Sequence, residues 1–420
     1  MGNYARGMPS PTGPPAVRAT SDSIPGSIPF AQTILALELS QLATLQRVVA
    51  LLFRIAHSEP YQSVADIGAG ASALHGPGSF GVFMGYDFHL GESGPQLIEV
   101  NTNAGGALLN GLHTAALCDP EQLDWLCCDP PSVKDVEAFI VGTFRAEFAA
   151  VRGEGAVLHS VAIVDERPAE QFLRPEMELF CELFARHDIE ARICDTEDLV
   201  PHASGGVEVD GSPIDLVYLR DTDFQLTSAR TATLRESWLA NRVVVTPAPR
   251  EHHLLANKRR LEIFSSEEAL LGLGVAPEDA AFLSKVIPET RPLSSMGFDE
   301  AWATRREWVF KPASAYGSKA VYRGDKISKR KLDAICTEGG FLAQKRVDPG
   351  TIPVETLEGT REMKFDIRAY VYRDQVFLLG ARVYQGQVTN MRSPGGGFSA
   401  ICVARDGSAV GSCCTTPGAN

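Results

Sequence analysis

The chain has 420 residues, 44% hydrophobic and 22% charged, with mean hydropathy near zero. That excludes whole-chain disorder, collagen and coiled coil, and leaves a globular chain of two or three domains with room for a cleft between them. Lys and Arg number 39 against 52 Asp and Glu, a net charge of −13, so most of the surface repels a phosphate backbone and nucleic acid is excluded as the main partner.

Residues 1–29 are rich in Pro, Gly and Ser with no apolar core, and are expected to be a disordered tail rather than a leader. Residues 34–57 read as an amphipathic helix, because Glu38, Gln41, Gln46, Arg47 and Arg54 interrupt the apolar run and make a bilayer crossing costly. Short apolar runs broken by Gly and Pro predict neighbouring strands over 83–90 and 96–100, joined by a turn. Helices are expected around 107–118 and over 133–152, the second with an apolar face at Val136, Phe139, Ile140 and Phe144.

From 157 to 249 strands and helices alternate, which predicts an α/β unit with a largely parallel sheet. Beyond it, strands are expected over 308–311, 341–346, 365–372, 376–384 and 398–403, with few helices between, and residues 406–420 resemble the opening tail. Nine cysteines have no metal-ligand or redox spacing, and Cys127-Cys128 and Cys413-Cys414 are adjacent, so free thiols in a reducing cytoplasm are expected.

Three constellations carry chemistry. Lys311 ends the apolar run Trp-Val-Phe-Lys, and a small loop from Ser314 to Lys319 follows, with Lys258 upstream. Such a Lys and loop can meet phosphates, or the Lys can be a solvated surface charge. Arg368 and Arg382 lie in successive predicted strands, with Asn390 before a Pro-Gly-Gly-Gly turn. Guanidinium groups on rigid strands can hold a phosphoryl group in transfer, or they can be edge arginines of an antiparallel sheet. Glu99 and Asn101 alternate with apolar residues and so share one strand face, which Asp87 on the preceding strand can approach. Two carboxylates and an amide are hard oxygen donors suited to Mg²⁺ held jointly with phosphates.

Together these segments resemble the ATP-grasp superfamily of ligases. The stretch KFDIR, GARVYQGQVTN and GGG is similar to the phosphate-binding arm of the ribosomal-protein glutamate ligases, and YDFHLGESGPQLIEVNTNAGG to the metal-binding finish, with Asp87 and Glu99 twelve residues apart. In the usual family order the finish follows the arm. Here it precedes it, which suggests a circular permutation of the kind in glutathionylspermidine synthase-related proteins.

The resemblance implies a mixed α/β (α+β) fold with the nucleotide between two α+β subdomains and an α/β Rossmann-like substrate domain beside them. Its segments would be N-terminal helices plus permuted metal-binding strands over 30–152, a substrate domain over 153–250, a lid subdomain over 251–345 and the core arm over 346–405. Asp87, Glu99 and Asn101 would hold two Mg²⁺ ions. Lys258 and Lys311 would touch the α- and β-phosphates of ATP, and Ser314, Gly317 and Ser318 would belong to the lid. Gln344, Lys345 and Val347 would form the hinge beside the adenine, with Asp348 at the ribose. Arg368, Arg382 and Asn390 would attend the γ-phosphoryl group.

The implied activity is ATP-dependent joining of a carboxylate to an amine through an acyl phosphate, on small-molecule or peptide substrates, with neither nucleic acid nor a membrane as partner. Arg220 and Asp223, after a predicted strand in the α/β unit, and Asn103 are candidates for substrate contact. Two alternatives stand beside this reading. One is a catalytically silent nucleotide-binding scaffold of the same fold. The other is an S-adenosylmethionine-dependent methyltransferase, suggested by Val64-Ala65-Asp66-Ile67-Gly68-Ala69-Gly70. His252 and His253 read as loop residues without a catalytic role.

Overall fold

The structure is a computed structural model that describes residues 28–91, 93–118, 126, 131–313, 320–356, 359–387 and 389–406. Most of both expected tails, the Cys127-Cys128 and Cys413-Cys414 pairs, and the lid residues Ser314, Gly317 and Ser318 lie outside the described residues.

The described chain opens with strand β1 (Phe30–Glu38) and helix α1 (Leu39–Ala56). The hairpin of β2 (Met84–Gly91) and β3 (Gly94–Asn101) follows, then α2 (Ala107–Leu117) and α3 (Val133–Arg152). An alternating segment supplies β4 (Ser160–Asp165), α4 (Arg174–Ala185), β5 (Glu190–Asp195), β6 (Leu216–Leu219) and β7 (Val244–Thr246). Next come β8 (Thr290–Pro292), β9 (Trp308–Pro312), β10 (Tyr322–Arg323) and β11 (Phe341–Lys345). The last strands are β12 (Gly350–Thr356), β13 (Gly359–Tyr372), β14 (Gln375–Tyr384) and β15 (Gly397–Ala404).

The largest sheet runs β1-β15-β14-β13-β2-β3, with β12 paired to the first half of β13. The early hairpin thus lies in one sheet with the last strands, although β3 is separated from β14 by β2 and β13. Side chains alternate across β13. Phe365, Ile367, Ala369 and Val371 enter a core that α1 closes with Leu45, Val48, Val49, Leu52 and Ile55. Each of these side chains larger than alanine contributes about 1.5–3 kcal/mol by burial. Lys364, Asp366 and Arg368 fall on the opposite face, which is where the site forms.

The expected α/β unit is present as the parallel sheet β7-β6-β4-β5. A second core, built from Phe144, Phe180, Phe184 and Tyr218, joins it through α3 and α4 to Tyr370 and Leu378 of the large sheet. A third, antiparallel sheet β8-β11-β9-β10 stands across the cleft.

Three expectations are corrected. Residues 34–38 are strand, not helix: Ile34, Leu35, Ala36 and Leu37 are all buried and pair in parallel with β15, so this part of the run is apolar on both faces. The segment after 254 is not poor in helices, since Arg260–Phe264, Glu267–Gly272, Pro277–Val286, Phe298–Thr304 and Lys329–Glu338 are helical. The thiols are not all free either, because Cys118 at the end of α2 is disulfide-bonded to Cys402 in β15. The inference of a reducing compartment rested on free thiols and loses that support.

Among the described residues one helix, Leu39–Ala56, is long and apolar enough to cross a membrane. It is α1, whose apolar face is packed on the large sheet.

Candidate functional site

The site begins with an irregularity in the β2–β3 hairpin. Asp87 pairs with Glu99 and Phe88 with Leu97, so Ile98 is an extra residue in β3. A bulge of this kind re-aims side chains and leaves backbone groups unpaired by the ladder. Here Leu97 and Val100 enter the core beneath the sheet, while Glu99 and Asn101 look out from it. The freed carbonyl of Ile98 accepts a hydrogen bond from Lys311 Nζ at 3.3 Å and another from Gln344 Nε2 at 3.2 Å. Lys311 Nζ also donates to Gln344 Oε1 at 2.7 Å. Strands β9 and β11 of the small sheet are thereby tied to the edge of the large one.

Beneath the cleft floor lies a lattice of opposite charges built on strand register. Asp87 stands opposite Arg368, and Asp366 opposite Arg382. Arg368 donates to both oxygens of Asp87 at 2.7 Å. Arg382 reaches Asp87 Oδ2 at 2.8 Å and Asp366 Oδ1 at 2.6 Å. The Thr389 hydroxyl donates to Asp366 Oδ2 at 2.7 Å, and Asn101 Nδ2 donates to Asp87 and Glu99 at 3.1 and 3.2 Å. Burial alone would raise the Asp87 carboxyl pKa, but the Arg368 and Arg382 charges outweigh it and hold the group at about 2. Gly85 leaves space for this packing, since a Cβ there would sit 2.6 Å from Ala104 Cβ and 3.3 Å from Arg368 Nε.

Above the floor, Glu99, Asn101, Lys258, Lys311, Gln344, Lys345, Val347, Asp348 and Arg382 all line one cleft. Nine candidate residues from five separate stretches of sequence therefore meet. Burial lowers the pKa of the Lys311 ammonium; Glu99 opposes that shift and Lys258 adds to it. A buried cation of this kind gains from an anionic ligand.

Other candidates are placed differently. Asp87 is fully buried with both oxygens engaged by arginines, so it does not face the cleft as expected of a metal ligand. Arg368 lies beside it and does not line the cleft. Asn390 is exposed and accepts the backbone N–H of Arg392, shaping a turn, while its neighbour Thr389 reaches the cleft.

Asp223 closes its own loop, accepting from the N–H groups of Thr227 and Ser228 and the Thr231 hydroxyl, and burial is outweighed by these bonds, which hold it at about 2. Arg220 and Asn103 do meet, Asn103 Nδ2 donating to the Arg220 carbonyl at 2.7 Å, but in a separate cavity.

Sequence reasoning missed His89, Arg323, Lys364 and Tyr384, which also line the cleft. Lys364 and His89 share strand faces with Asp366 and Asp87, so the period-two pattern carried that signal. His89 Nδ1 lies 2.8 Å from the Val347 carbonyl, and burial lowers its pKa. Arg323, on a two-residue strand, had no such signal.

Oxygen donors for Mg²⁺ reduce to Glu99 and Asn101. Among the described residues no group of three or more His, Cys, Asp or Glu side chains is arranged to hold a metal ion. The pair fits an ion whose remaining ligands are phosphates and waters. The methyltransferase motif lacks its context: Val64 and Ala65 end the helix Glu59–Ala65 rather than a strand, and Asp66 pairs with Arg250.

No protein family and no curated protein matches the chain. Solved structures do. A glutathione synthetase-like effector from Globodera pallida aligns over 90% of this chain and 90% of its own, with TM-score 0.52 and 11% identity. A putative gamma-glutamylcysteine synthetase from Methylobacillus flagellatus KT aligns over 86% and 88%, with TM-score 0.46 and 13% identity. The ATP-grasp ligase PsnB, complexed with minimal precursor, aligns over 58% and 77%, with TM-score 0.32 and 16% identity. At such identities the first likeness speaks to fold alone: the chain shares the overall fold of the glutathione synthetase-like effector.

Proposed function

We propose that this chain is an ATP-dependent carboxylate–amine ligase of circularly permuted ATP-grasp type. The observation that carries the reading is the meeting of Lys258, Lys311 and Arg382 with Glu99 and Asn101 in one cleft between two sheets. The pairing of β2 with β13 supports the permuted order, since it unites an early hairpin with the C-terminal strands. In this reading 30–152 and 346–405 build the core, 251–345 covers the nucleotide and 153–250 serves the substrate.

Bound ATP supplies a γ-phosphoryl group to a carboxylate, and an amine then displaces phosphate from the acyl phosphate. The chain's own residues prepare that exchange. Lys258 and Lys311 offset phosphate charge, and Lys311 is held in position by Ile98 and Gln344. Glu99 and Asn101 would hold Mg²⁺. Asp87 acts from beneath, fixing Arg368 and Arg382 so that the Arg382 guanidinium needs no reorganisation when charge develops.

Hydroxylamine serves as a general amine in the test. With MgATP, hydroxylamine and a panel of amino acids, dicarboxylates and short peptides, ADP and hydroxamate should form in equal amounts with at least one acid. Arg382→Lys keeps the charge but loses the planar fork, so kcat should fall about a hundredfold while ATP affinity changes by about a factor of three. Thermal unfolding checks that the variant is folded. Equal losses in ATP affinity and kcat/KM would assign Arg382 to ground-state binding, and nucleotide binding without ADP formation across the panel would favour the silent scaffold.

A further inference from the structure

A second site lies at the C-terminal edge of the parallel sheet. Asp165 ends β4, and Arg220 follows β6 on the neighbouring strand, its N–H donating to the Val164 carbonyl at 2.7 Å. Ligands of open α/β sheets bind at this edge. Both side chains line a cavity with Asn103, Gly105 and Thr222, and both residues are only 8% exposed.

Neither is fully used by the fold. Arg220 Nη1 donates to the Tyr218 hydroxyl at 2.9 Å and comes no closer to a carboxylate than 3.8 Å from Glu176, while its buried Nε has no partner. Glu176 is itself engaged, accepting from the N–H groups of Gly106 and Leu108 at 2.7 and 3.1 Å. Asp165 accepts from the Glu166 N–H at 2.8 Å, and burial raises its pKa to about 6 despite the Arg220 charge. A buried cation and a buried anion therefore stand in one hollow without a salt bridge to each other. Gly105 keeps the hollow open around the guanidinium, as a Cβ there would lie 2.6 Å from Arg220 Nη2 and 2.3 Å from Leu173 Cδ1.

We propose that this cavity binds an α-amino-acid head group, its carboxylate on Arg220 and its ammonium on Asp165. Opposite charges at fixed positions match a zwitterion and leave either half-ligand with one buried group unanswered. The cavity also shares lining residues with the spaces that lead to the cleft. Thr222 is shared with a neighbouring cavity that Asn101 and Lys258 line, and both of these line the cleft as well. In this proposal a head group held at Arg220 leaves the rest of a substrate extending past Thr222 toward Asn101 and the cleft. This route rests on the ligase reading; binding of the head group does not.

The test is ligand-observed NMR on the full chain without nucleotide, using the twenty L-amino acids and, for each binder, its analogues lacking the ammonium or the carboxylate. At least one amino acid should bind, and either analogue should bind at least tenfold more weakly. Arg220→Gln and Asp165→Asn should each weaken binding at least tenfold with the melting temperature retained. If Arg220→Gln fails to fold, Asp165→Asn alone decides. No binding by the parent, equal binding of an analogue, or equal binding by a folded variant overturns the proposal. Binding without any ADP formation would leave this site standing and remove the ligase reading alone.

Discussion

Asp87→Ala should lower the stability of the chain by about 3–5 kcal/mol, the range for removing one partner of a buried ion pair. The carboxylate is fully buried and answers two guanidinium groups whose side chains are 11% and 14% exposed. Without it Arg368 loses its carboxylate partner and Arg382 keeps Asp366 alone, so positive charge on β13 and β14 is left uncompensated where little solvent reaches it. Exposed pairs on this molecule, such as Arg174 with Glu178, are worth about 0–1 kcal/mol by comparison. Urea unfolding measures the difference.

The sign with pH follows from the depressed carboxyl pKa. A group at about 2 when folded and 3.8 ordinarily contributes stability that is complete above 3.8 and lost as pH falls through about 2. Asp87→Asn should therefore flatten the stability curve in that acid window. A variant within about 1 kcal/mol of the parent at neutral pH would mean that the charge lattice does not hold these strands together.

Glu99→Gln should do the reverse, leaving the fold intact and removing about a hundredfold or more of turnover. Its carboxylate is only partly buried, and the contact that holds it is the Asn101 amide, which a glutamine can also meet. What glutamine lacks is charge. Glu99 lines the cleft with Asn101, Lys258 and Lys311, and in the proposed site its charge would hold the divalent ion. Raised Mg²⁺ should restore part of the loss. ADP release equal to the parent's at saturating ATP would remove Glu99 from the metal site.

The two variants also mark what sequence could and could not convey. Alternation in the stretch around Asp366 and Arg368, and in Glu99 and Asn101, placed the charged face of the large sheet without coordinates. The parallel unit was equally legible, because its short apolar strands alternate with amphipathic helices. Residues 34–38 were not, since a strand buried on both faces has no period to distinguish it from a helix. The helices between 260 and 338 are five to ten residues long, too short for a strong periodic signal.

The role of Asp87 was out of reach for a different reason. Its strand face was right, but whether a carboxylate meets a metal or two arginines depends on partners 281 and 295 residues away. The Cys118–Cys402 bond spans 284 residues and is a tertiary fact of the same kind.

Calorimetric titration of MgATP into the parent and into Lys311→Ala tests most directly whether the cleft takes a nucleotide. Lys311 is the cation that ties the two sheets together at Ile98 and Gln344, and its ammonium gains from a phosphate. If the cleft takes MgATP, the parent binds one equivalent and the variant binds at least tenfold more weakly, a difference of about 1.4 kcal/mol or more. Absence of binding by the parent, or equal affinity in a folded Lys311→Ala variant, would contradict a nucleotide site in this cleft.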